Sequence, residues 1–183
     1  MICARAKLVL LILISAMLFI PSVLAQRRSR DPLTPAEIDQ IRDTAQEPEQ
    51  RLKFYIKFAR DRLDRIQQVN TDPKITDKPQ AIRDRLQDFV DLYDELDENV
   101  DVFADRRNDI RKPLKLVLEA DTEFQSKLRA LKDSAAAGPA QASQYEFLLS
   151  NAIEAVDNGA KDHRDLLAEQ EELAKKKKLI KAQ

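Results

Sequence analysis

From residue 80 to residue 133 an apolar side chain recurs every three or four positions without losing phase. The series runs Ile82, Leu86, Phe89, Tyr93, Leu96, Val100, Phe103, then Ile110, Leu114, Val117, Phe124, Leu128 and Leu131. Spacings that alternate between four and three average 3.5, which keeps one stripe of a helix facing one way. Only Arg107 and Asp121 interrupt the seam. Pro113 falls inside the run. A turn there would fold it into two antiparallel helices, and a kink would leave one rod. Because a turn has no reason to preserve phase, the unbroken register predicts the kink, with a rod of about 80 Å at 1.5 Å per residue.

The flanking segments read the same way. Thr34-Pro35-Ala36-Glu37 announces a helix: Thr34 caps, Pro35 suits the first helical position, and Glu37 reaches back to complete a capping box. Its inward residues are Ile38, Ile41 and Ala45. Pro48 then starts or kinks a segment carrying Leu52, Ile56, Ala59, Leu63 and Ile66 at helical spacing, which ends near Asn70. Residues 71–79 hold two prolines among capping residues and form a loop. After the stop at Ala135-Ala136-Ala137-Gly138-Pro139, a last helix carries Tyr145, Leu149, Ala152, Val156, His163, Leu166 and Leu173. Asn158-Gly159 lies inside it as a local weakening of about 1 kcal/mol relative to alanine.

The fold class is therefore all-α: an antiparallel bundle of three or four long coiled-coil-like helices in one domain, residues 34–174. A basic, frayed tail follows at 175–183, with Lys175 to Lys178 and Lys181. Between Pro48 and Asn70 there are six basic and three acidic residues, and from Pro79 to Asp109 four basic and ten acidic. Opposite charge on these two segments predicts that they lie side by side.

Composition adds the compartment. Arg5 and Lys7 precede an apolar run from Leu8 to Ile20, Pro21 breaks it, and Val23-Leu24-Ala25 offers a cleavage site before Gln26. That is a secretory signal peptide, residues 1–25, followed by a disordered segment at 26–33. The alternative is an uncleaved membrane anchor, since the stretch to Ala25 reaches the lower limit of a membrane span. Export, periplasmic or extracellular, is the expected localisation. Cleavage removes the one cysteine, Cys3, so a disulfide is not expected. It also removes Arg5 and Lys7, taking the formal net charge from −1 to −3. Such near-neutrality argues against a nucleic-acid partner, whose phosphates demand a basic excess.

Candidate chemistry is sparse. Lys53, Phe54, Lys57 and Phe58 interleave basic and aromatic side chains and form the candidate interaction surface, for a second copy or another envelope protein. Contact with the membrane is expected only through an uncleaved leader. Asp91, Asp94, Glu95, Asp97, Glu98 and Asp101 lack the turn and central glycine of a calcium loop and read as a solvated face. His163, the single histidine, sits on the inward seam without the partners of a di-iron, zinc-protease or haem motif. No nucleophile elbow or glycine-rich phosphate loop is present. The expectation is a protein that is not an enzyme, with no cofactor, no metal and no catalytic residue. It would act through its surface as a scaffold, adaptor or holdase. An enzyme or cofactor-binding bundle centred on His163 is the contrasting reading.

Leu33-Thr34-Pro35-Ala36-Glu37, near the start of an exported helical chain, resembles the LTxxQ motif of the periplasmic helical stress chaperones. The resemblance implies a cradle-shaped helical dimer that binds unfolded clients or stress signals. Glu37 stands where that motif has Gln, and the motif has no second copy here.

Overall fold

A computed structural model describes residues 31–69 and 71–181. All elements among them are helices: α1 (Pro35–Asp43), α2 (Pro48–Val69), α3 (Lys78–Asp105), α4 (Arg111–Ala136), the single turn α5 (Pro139–Ala142) and α6 (Glu146–Lys181). The expected leader, with its expected cleavage between Ala25 and Gln26, lies outside the described residues. No described helix is long and apolar enough to cross a membrane.

Local chemistry fixes the boundaries. Thr34 N donates to Glu37 Oε2 at 2.7 Å, and Glu37 N donates to Thr34 Oγ1 at 3.4 Å, which is the expected capping box. Pro48 opens α2, and Asp77 caps α3 by accepting from Gln80 N at 3.1 Å. Helix α1 stops at Asp43, so Ala45, expected to face inward, is exposed.

Packing follows the predicted stripes. Helix α2 packs against α3 and α4, α6 packs against the same two, and α1 lies on α2. Leu52, Ile56, Ala59, Leu63 and Ile66 of α2 are all buried, as are Ile82 through Phe103 on the α3 seam. At the centre Phe89 and Tyr93 of α3 meet Phe124 of α4. The Phe89–Phe124 rings cross at 85° with centroids 5.4 Å apart, and Tyr93–Phe124 at 78° and 6.3 Å. Edge-to-face contacts of this kind add to the area they bury.

Two expectations are corrected. The seam from residue 80 to 133 is two helices, not a kinked rod. Helix α3 ends in a Schellman arrangement: Asn108 N donates to Phe103 O at 3.1 Å and Arg107 N to Ala104 O at 2.8 Å. Arg107 takes the left-handed φ of 59° that this turn requires. Pro113 is the third residue of α4, where a missing N–H costs nothing. Phase survives because Phe103 and Ile110, on either side of the turn, are both buried. Heptad phase specifies where side chains must point, not whether the axis continues.

The second correction concerns charge. Helices α2 and α3 do pack together, but the cations of α2 pair elsewhere. Arg60 pairs with Glu123 of α4 (2.8 Å), Arg62 with Glu37 of α1 (2.7 Å) and Lys53 with Glu49 (2.6 Å). The polar contacts between α2 and α3 include Arg51 with Asn99 and Tyr55 with Glu95. Apolar burial, not field complementarity, brings the two helices together.

Leu96 is fully buried on the α3 seam. Replacing it by Ala is expected to lower unfolding free energy by about 2–5 kcal/mol in urea titration. A change within the surface range of about 0.5 kcal/mol would show the seam to be misassigned.

Candidate functional site

Two seam positions that break the apolar pattern, Asp121 on α4 and His163 on α6, meet in the interior. His163 Nδ1 lies 2.9 Å from Asp121 Oδ2, and Tyr93 Oη donates to Asp121 Oδ1 at 2.8 Å. Exposure is 0% at Tyr93, 1% at Asp121 and 3% at His163. The other ring nitrogen, Nε2, is 3.2 Å from Asp97 Oδ1 on α3. That contact is an ion pair without hydrogen-bond alignment, and Asp97 Oδ1 is a buried oxygen with no hydrogen bond. Each helix that packs with α6 along its length thus sends a carboxylate to the imidazole.

The electrostatics follow from this sandwich. Burial by itself would lower the His163 pKa. The hydrogen bonds and charges of Asp121 and Asp97 outweigh it and raise the pKa to about 9. At neutral pH the ring is an imidazolium that donates from Nδ1 to Asp121 and holds Nε2 against the Asp97 carboxylate as an ion pair. Asp97 is the carboxylate in excess: burial pushes its pKa up, and the His163 contact only partly offsets that. Burial, then the neighbouring Asp121 and Asp97 charges, push the Tyr93 hydroxyl above its ordinary range, so it stays a neutral donor.

Gly159 completes the site. A Cβ there would overlap Tyr93 Oη and lie 3.1 Å from Asp97 Oδ2. The glycine that weakens α6 by propensity is what lets the tyrosine hydroxyl pass close to the helix backbone. Tyr93 and His163 are hydrogen-bonded to Asp121, and Asp97 stands as the second charge on the imidazole. Among the described residues no group of three or more His, Cys, Asp or Glu is arranged to hold a metal.

A second buried polar contact ties α1 down. Arg62 is bidentate on Glu37, Nη1 to Oε1 at 3.0 Å and Nη2 to Oε2 at 2.7 Å, and Nη2 also donates to Pro32 O at 2.7 Å. Burial raises the Glu37 pKa, but the bonds from Arg62 and Thr34 outweigh it and hold the carboxyl below its ordinary value.

The expected interaction surface is divided by the fold. Lys53 and Lys57 are exposed and Phe54 is half-buried, but Phe58 is in the core, stacked on Phe54 with centroids 5.9 Å apart. Phe58 is therefore not a docking residue; it widens the α2 stripe. Sequence reasoning placed His163 inward and missed its partners. The available signal was Asp121, a carboxylate on a seam that excludes charge unless it is paired.

Compared with known proteins, the chain matches no family model, no curated protein and no solved structure.

The raised His163 pKa sets a direction for stability. The unfolded histidine releases its proton near pH 6.5 and the folded one near 9. The ion pair therefore contributes fully below pH 6.5 and is lost as pH rises through 9, a change of roughly 3 kcal/mol. Chemical denaturation at stepped pH should show this loss. In His163→Gln the histidine's part of that slope should vanish, while stability at neutral pH falls by about 3–5 kcal/mol because two carboxylates lose their cation. Gly159→Ala should destabilise by about 1–3 kcal/mol despite the better helix propensity of alanine, because Tyr93 cannot withdraw from its packed ring contacts. A gain in stability would mean that the ring has room to move.

Proposed function

We propose that this chain is an exported, non-enzymatic helical protein of the cell envelope, built as an antiparallel helical bundle and working through its surface as a scaffold, adaptor or holdase. One observation carries the reading. The side chains best suited to chemistry, His163, Asp121, Asp97 and Tyr93, are spent on one another, and Gly159 closes the space a substrate would need. A general base near neutrality would have to be unprotonated there, whereas His163 is held as a cation up to about pH 9. Large apolar side chains stand on the outside instead: Phe147 is 79% exposed. Burying such residues is the ordinary means by which helical surfaces take partners.

Native mass spectrometry of protein recovered from the envelope of its own host tests the compartment and the chemistry together. The expected species begins at Gln26 and carries no stoichiometric metal or cofactor. Recovery of the intact N-terminus in the membrane fraction would replace the exported form with an anchored one. A bound metal that disappears in His163→Gln would end the non-enzymatic reading.

A further inference from the structure

The C-terminal part of α6 returns to the turn between α3 and α4 and then outruns it. Lys115 Nζ on α4 lies 3.7 Å from Glu171 Oε1 on α6. A groove of about 720 Å³ is shared between the turn (Arg107, Asp109) and α6 (Leu166, Leu173, Lys177, Lys178). From Lys175 to Ile180 every residue of the helix is exposed. Its apolar residues are uncovered: Leu173 is 42% exposed, Leu179 69% and Ile180 73%.

Charge at this end is one-sided. Arg111 is satisfied by Asp109, Lys112 by Glu49 and Lys175 by Glu172. Arg107, Lys176, Lys177 and Lys178 are exposed, and none has a carboxylate within 4 Å among the described residues, although Lys176 and Lys177 feel the charges of Glu172 and Asp109 at longer range. Asp105 and Glu169 line the same groove and offset part of this excess. Four exposed cations, Arg107 and Lys176 to Lys178, therefore stand at a helix end that presents Leu179 and Ile180 to water.

We propose that this end, the α3–α4 turn together with the tip of α6, docks on an anionic bilayer surface, with the cations on lipid phosphates and Leu179 and Ile180 at the acyl boundary. A lipid surface fits better than a protein. Bulky apolar residues beside a lysine run match the layered polarity of the bilayer interface, and they need no enclosing pocket. A second copy presenting the same tip would be repelled by its lysines. The proposal extends the envelope reading to a contact other than the leader, and it stands or falls on the tip whichever compartment mass spectrometry finds.

The chain has no tryptophan, so a single substitution reports locally. Leu179→Trp in the full chain should shift its emission to the blue on vesicles of mixed phosphatidylglycerol and phosphatidylcholine, and not on pure phosphatidylcholine. Phe147→Trp, about 48 Å away along the same helix at 1.5 Å per residue, should not shift, which separates tip docking from adhesion through the leader. Adding Lys176→Gln, Lys177→Gln and Lys178→Gln to the Leu179→Trp protein should weaken binding roughly a hundredfold, at about fivefold per cation. No shift at position 179, an equal shift at 147, or binding unaffected by the three substitutions each overturns the proposal. A concentration-dependent shift without vesicles would also overturn it and assign the tip to self-association.

Discussion

The packing of the long helices is organised around one buried cation. His163 sits between Asp121 of α4 and Asp97 of α3, and those are the two helices on which α6 packs. An isolated buried charge is costly, and even a paired one seldom exceeds a well-packed apolar substitute in stability. What the cation supplies is a geometric requirement: α6 can neutralise both carboxylates only in one register and one rotation. Apolar seams tolerate slips of a heptad. A single imidazolium facing two carboxylates does not. Gly159 strengthens the constraint, because one turn before His163 only a residue without a side chain leaves room for Tyr93.

A comparable device fixes the N-terminal helix. Short helices of nine residues are not stable alone, and α1 is held by Arg62, which reaches from α2 to Glu37 and to the carbonyl of Pro32. Glu37 does two jobs, closing the capping box on Thr34 and neutralising a buried guanidinium. A glutamine could close the box but could not neutralise the arginine. The acid found where the chaperone motif carries Gln is thus explained by a contact inside this chain, and the five-residue resemblance needs no client-binding role to account for it.

What could be read from the sequence was periodicity. The stripes on α2, α3 and α4 were legible because a residue repeating every 3.5 positions has one physical explanation, burial of a helix face. Chain reversal at Arg107 was not. The usual sign of such a turn is glycine, and here an arginine takes the left-handed conformation, so the position read as a solvated interruption of a rod. The site was half legible for a related reason. His163 and Asp121 each stood out on an apolar seam, but their meeting depends on which helices are neighbours, and heptad phase carries no information about that. Asp97 was hidden more thoroughly, among acidic residues whose other members Asp94, Glu98 and Asp101 face solvent.

The same accounting separates the two ends of α6. From Leu149 to His163 its inward residues are buried, and Phe147 is the one large apolar side chain left outside. Beyond Leu166 the seam continues in sequence, with Leu173 and Ile180 at intervals of seven, but the partner helices have ended at Asp105 and begun at Arg111. A stripe selected only for the interior of this chain would stop where the neighbours stop. Here it persists past them, accompanied by Lys176, Lys177 and Lys178, none of which has an ion pair within 4 Å among the described residues. Lysine keeps such a tip soluble while its apolar residues wait for a surface, since the cations repel copies of the same tip and attract an anionic one. The buried imidazolium and the exposed lysines are therefore opposite uses of positive charge in one helix, the first fixing how the chain folds and the second selecting what it touches.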